Sequence, residues 1–140
     1  MSVEPSRVRD AMVPNPHQID AGASAQEAGE ALMRPEVRAV LVVEDGELVG
    51  VITRKTLVRE VVARGLDPRT TTLGAIAERP NATIDSDTPL TEAFAFLEKD
   101  DLERVPVVDH DGRLVGVLSR SSVRRRLQED EPPEELPQPE

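Results

Sequence analysis

Positions 48–58 read LVGVITRKTLV and positions 114–124 read LVGVLSRSSVR. A chain that writes one phrase twice, 66 residues apart, is expected to fold as two related units, and everything else must fit that division. Gly46 and Gly50 match Gly112 and Gly116 at this offset. Upstream the offset is 65: Ile19-Asp20 matches Ile84-Asp85, and Glu27-Ala28 matches Glu92-Ala93. The change falls where EDGE becomes DHDGR, in a hairpin tip, where an insertion costs little. The copies are read as residues 7–62 and 73–128, with a linker at 63–72 and a tail at 129–140.

Both copies carry the same punctuation. Ser24 precedes AQEAGEALM with Glu27 three residues on, a capping-box start. Thr88-Pro89 plays that part in the second copy, with proline at the first helical position. AVLVV (39–43) is short and β-branched, which suits a buried strand. Asp45-Gly46 supplies a tight turn, ELVGVIT a second strand, and a charged helix runs from Arg54 to about Ala63. RVPVV, DHDG, RLVGVLS and a helix from Arg120 repeat this order. A short extended piece near Ile19 or Ile84 precedes each set. The fold class is α/β in the α+β sense. A unit of about 55 residues is marginal alone, so the copies are expected to pack sheet to sheet.

Composition narrows the functions. The chain has no Cys and two His, which excludes disulfide and thiolate metal chemistry and leaves little for zinc. No stretch approaches the roughly 20 apolar residues of a membrane span. MSVEPSRVRD lacks the apolar core of a secretory signal, so the expected location is the cytoplasm. Net charge is −10, but the tail EDEPPEELPQPE holds six acids and no base. Without the tail, 21 acids face 17 bases. The tail is read as disordered and solvated. The acidic balance, and aromatics limited to Phe94 and Phe96, argue against general nucleic-acid binding.

The tandem order resembles the CBS-domain pair, the family named for cystathionine-β-synthase-type domains. Val105-Pro106-Val107-Val108-Asp109 and Leu114-Val115-Gly116-Val117-Leu118-Ser119 carry the resemblance in copy two. Val40-Leu41-Val42-Val43 and Leu48-Val49-Gly50-Val51-Ile52-Thr53 carry it in copy one. The resemblance implies two β-α-β-β-α units with pseudo-twofold symmetry and two clefts. It also implies an adenosine-containing ligand (AMP, ADP, ATP, S-adenosylmethionine or NAD), a homodimer and a regulatory role without catalysis. By the same resemblance, Gln18, Ile19, Val40, Leu41 and Val42 in copy one, and Thr83, Ile84, Val105, Pro106 and Val107 in copy two, would form the base pockets.

Residue chemistry adds a second argument. A strand entering a helix leaves free N–H groups and partial positive charge, which favour an anion. Thr53-Arg54 and Ser119-Arg120 place a hydroxyl and a guanidinium at that point. The simpler reading is that Thr53 and Ser119 are helix caps and that both arginines are solvated. The family's ligand-binding version has an Asp three residues after the hydroxyl residue, where it grips the ribose. Thr56 and Ser122 stand there instead, and a hydroxyl accepts two ribose hydroxyls less well than a carboxylate. Thr83 and Pro106 favour the second cleft over the first.

Two functions remain open. One is a regulatory sensor of an adenosine ligand that signals through an effector protein or a change of assembly. The other is a structural dimerisation module with degenerate clefts. No nucleophile with a base, metal set or carboxylate pair marks an enzyme.

Overall fold

The computed structural model describes residues 5–130. Two sheets form. One has the order β2 (Gln18–Asp20), β3 (Val40–Glu44), β4 (Glu47–Ile52). The other has β1 (Val13–Pro14), β7 (Leu114–Ser119), β6 (Arg104–Val108), β5 (Ile84–Asp85). Helices α2 (Ala25–Leu32) and α3 (Arg54–Leu57) cover the first sheet; α5 (Leu90–Lys99) and α6 (Arg120–Asp130) cover the second. Each unit is therefore β-α-β-β-α, the expected fold class. In each, a parallel pair is followed by an antiparallel hairpin.

The hairpins follow the turn chemistry. Asp45 and Gly46 both take positive φ, 52° and 84°, as a two-residue turn between right-twisted strands requires. In the longer second tip, Gly112 takes φ 82° and Asp109 accepts the amides of Asp111 and Arg113. The two tips then bond to each other: the Leu48 amide donates to the Gly112 carbonyl at 3.2 Å and the Leu114 amide to the Gly46 carbonyl at 3.1 Å. This reciprocal pair marks the pseudo-twofold axis.

The sequence copies and the packing units do not coincide at their starts. Helix α1 (Val8–Ala11) opens copy one, yet Val8 lies with Leu90, Leu97, Val105 and Leu118 in the core of copy two. Helix α4 (Leu73–Ile76) opens copy two, yet Leu73 and Ile76 lie in the core of copy one. The exchange is reciprocal in register: Val13 pairs with Val117 and Glu78 with Val51. It also caps helices. The Leu90 amide donates to Ser6 O and the Ala25 amide to Thr71 O, which satisfies an orphan donor at the start of each helix.

The repeated glycines follow from this crossing. A Cβ at Gly50 would stand 2.5 Å from the Ala77 Cβ, and one at Gly116 would stand 2.9 Å from the Val13 carbonyl. Both sit at matched bulges, since register shifts at Val42/Val43 and at Val107/Val108.

Three local expectations are corrected. Pro89 is the residue before α5 rather than its first helical residue, and the helix takes its N-terminal partner from Ser6 O instead of a Thr88 cap. The helix after Thr53 is α for one turn and then π-helical over Val58–Val62, with the Ala63 amide bonded back to Val58 O. Glu129 and Asp130, read as the start of a disordered tail, continue α6, where Asp130 pairs with Arg126. The rest of the tail lies outside the described residues.

Candidate functional site

A cleft of about 410 Å³ opens between the units. Its walls are two versions of the same segments. Leu41 faces Pro106 across the axis, Val51 faces Val117, Val37 faces Leu102, and His17 stands where copy two has Ala82. The apolar lining is thus nearly symmetric. The polar lining is not: Arg38 and Glu36 come from copy one, Arg104 and Asn81 from copy two. Side chains alternate along a strand, so Leu41 and Pro106 share this face with their cross-strand partners Val51 and Val117.

Of the base-pocket residues expected from sequence, Leu41 and Pro106 line the cleft, and Val105 borders it although its side chain, 1% exposed, belongs to the core of copy two. Val40, Val42 and Val107 are fully buried in the two cores, on the opposite faces of β3 and β6, so no ligand reaches their side chains without repacking. Ile84 is also core, and Ile19 packs against the first core. Gln18 and Thr83 are exposed, one residue beyond the wall formed by His17 and Ala82. Alternation could have identified Val51 and Val117; nothing in the repeat flags Arg38 or Arg104, because neither has an arginine counterpart.

The strand–helix junctions do not line this cleft. Thr53 caps α3: its Oγ1 accepts the Thr56 amide at 3.2 Å, and Thr56 Oγ1 accepts the Thr53 amide at 3.1 Å. Thr56 is 0% exposed, so its hydroxyl is committed to the cap. The Ser119 oxygen likewise accepts the Ser122 amide at 3.2 Å while its hydroxyl donates to Ser122 Oγ at 2.7 Å. Ser122 is only half-buried, so the second junction is the more open of the two.

Both arginines are occupied, contrary to the solvated reading. Arg54 donates to the carbonyls of Leu32 and Arg34 at 2.6 and 2.8 Å and thereby closes the C-terminal end of α2. Arg120 is held by Glu103 and, at 3.3 Å, by Asp101, with its side chain 16% exposed. The Glu103 carboxylate holds this guanidinium above its ordinary pKa. One substitution between copies accounts for the contrast. Glu103 occupies the position of Arg38, so Arg120 finds a carboxylate where Arg54 does not. The guanidinium at the second junction therefore already carries its counter-charge.

The CBS-domain family model matches residues 8–63 and 73–129, and the chain belongs to the CBS-domain family. Hypoxic response protein 1 of Mycobacterium tuberculosis is 33% identical over 86 residues, 61% of this chain and 59% of that protein. The solved Hypoxic Response Protein I, with two coordinated zinc ions, superposes with a TM-score of 0.72 at 25% identity, over 86% of this chain and 98% of that one. CBSX2 in complex with AMP superposes at 0.68 with 27% identity, over 88% and 96%. The chain spans about half the length of the curated relatives it matches. Among the described residues, no three His, Asp or Glu side chains gather as a metal site, and no helix is long and apolar enough to cross a membrane.

Proposed function

We propose that the chain is a regulatory module that senses an adenosine-containing ligand in the cleft between its two CBS units and passes the signal through a partner protein or a change of assembly. The observation that carries this reading is the cleft itself. It encloses about 410 Å³, with an apolar floor of matched aliphatics and walls drawn from both units. A ligand seated there touches both halves at once, so its occupancy biases how they sit together. The AMP held by the similar CBSX2 supports the ligand class. AMP, ADP, ATP, S-adenosylmethionine and NAD are the compounds to screen. The chain has no Trp or Tyr, so the screen needs an external dye or calorimetry. A ligand at a hundred times its dissociation constant should stabilise the fold by about 2.7 kcal/mol. Ser122→Asp, at a junction that does not line this cleft, should leave a ligand seated on the apolar floor unaffected and tighten only an adenosine ligand that reaches the second junction with its ribose. No binding by the wild type or by this variant would end the sensor reading.

The alternative, a dimerisation module with degenerate clefts, draws on the buried Thr56 and the neutralised Arg120. A homodimer is part of both readings. On the outer face of the first unit Met33, Val58 and Val62 are 79%, 58% and 70% exposed. The matched positions of the second unit hold Glu98, Arg124 and Gln128, and Arg124 pairs with Glu98. A self-complementary contact is therefore available from the first unit of a second copy, not from the second unit.

A further inference from the structure

A second cavity lies away from the cleft between the units. It is a groove of about 380 Å³ in the first unit, between α2 and the π-helical stretch Val58–Val62. Leu57, Val61 and Val62 line one side, Gly29 and Met33 the other, and Glu30 stands on the rim. We infer that this groove docks a partner protein through an aromatic side chain with a Lys or Arg one helical turn away from it. The inference does not depend on what the cleft between the units binds.

The second copy shows what such a groove holds. Phe94 occupies the position of Gly29, and Val123 that of Leu57. The Phe94 ring packs against the second core. Arg124 lies over that ring at 5.9 Å, and Glu98 pairs with Arg124 at 3.5 Å. Ring, cation and carboxylate close the second unit in that order. The matched positions of the first copy hold Gly29, Val58 and Met33, so its ring and its cation are missing. A carboxylate is present one turn back along α2. It is Glu30, which is exposed and, among the described residues, makes no ion pair. A partner that brings a ring and a cation completes the arrangement that the second copy completes by itself.

Gly29 supplies an independent argument. A glycine inside a helix weakens it. At Gly29 φ is not positive, and a Cβ would meet only the Leu57 Cδ1, at an ordinary contact distance of 3.8 Å. Neither conformation nor crowding requires glycine here, in contrast to Gly50 and Gly116. Its effect is to leave the groove open.

Size and charge agree with this occupant. An apolar cavity of about 150 Å³ already takes a benzene ring, so the groove has room for a ring and for the methylene stem of a basic neighbour. A basic segment is also drawn to a chain of net charge −10. Met33 and Val62 belong both to the groove and to the face open to a second copy, so partner and second copy exclude each other there.

The chain has no Trp, so a peptide with one Trp is the only indole in solution and its emission reports burial. The probe is an alanine-rich helical peptide with a central Trp and an Arg four residues later. Its emission should shift to the blue, saturably, on titration with the full chain. A peptide with Glu in place of that Arg should bind about fivefold more weakly at low salt, and Glu30→Gln should remove most of this difference. Gly29→Phe fills the groove from inside, as Phe94 does in copy two. It should abolish the shift, raise the melting temperature and leave calorimetry with AMP as in the wild type. Gly29→Leu serves if that variant fails to fold. Gly29→Ala should also raise the melting temperature but keep the peptide, which separates helix stabilisation from blocking. No saturable shift, a shift that survives Gly29→Phe, or binding indifferent to the charge beside the Trp would overturn the inference. A wild-type dimer that Gly29→Phe dissociates, with no peptide shift, would assign the groove to a second copy and overturn it as well.

Discussion

A methyl group at Gly50 would meet the Ala77 Cβ at 2.5 Å and the Glu78 carbonyl at 3.1 Å. At Gly116 the obstacles are the Met12 Sδ at 2.6 Å and the Val13 carbonyl at 2.9 Å. Neither glycine has positive φ, so space and not conformation selects them. Gly50→Ala and Gly116→Ala should each cost about 1–3 kcal/mol by overpacking, read as a lower denaturant midpoint. The two costs should be comparable: the Met12 thioether can swing aside at Gly116, but the Val13 carbonyl cannot, just as the Ala77 Cβ cannot at Gly50. Thr56→Val, at a buried cap, should cost about 1–2 kcal/mol by leaving the Thr53 amide without its acceptor. The phrase LVGV was visible in the sequence as a repeat, and its hydroxyls as caps. The reason for its glycine was not, because the atoms that crowd each one come from the opening segment of the other copy.

The elements themselves were largely legible. Alternation, β-branched runs and Asp-Gly turns marked β3, β4, β6 and β7 to within one or two residues. What periodicity reports, however, is that a helix has an apolar face, not which core receives it. The opening residues from 7 onward were therefore counted with the copy that contains them in sequence, whereas Val8 is buried in the other. This exchange makes each half depend on the other. Val8→Ala should destabilise the protein by roughly 1–3 kcal/mol. Hydrogen exchange on this variant should show faster amides in β6 and β7, the strands around Val8. Faster exchange confined to β3 and β4 would mean that α1 packs on its own copy. Leu73→Ala should produce the mirror-image pattern, with the loss in β3 and β4.

At the scale of the whole molecule, the same duplication yields a symmetric floor and two unlike outer faces. The unlike faces were hidden in the sequence because Met33, Val58 and Val62 sit at helical positions that also suit a core. If the exposed face of Met33, Val58 and Val62 closes the proposed homodimer, Val62→Lys should leave a 15.3 kDa monomer in sedimentation without lowering the melting temperature of the subunit at high dilution. An unchanged assembly would place the contact elsewhere. The cleft residues Arg38 and Arg104 were equally hidden, since a repeat draws attention to what is shared and these two are not. The account turns on one claim, that a ligand enters between the copies and touches both. Hydrogen exchange with and without saturating AMP measures it directly. Protection should rise together in the copy-one segments around His17 and Arg38 and in the copy-two segments around Asn81 and Arg104. Protection limited to one copy, or none at a concentration that saturates calorimetric binding, would contradict it.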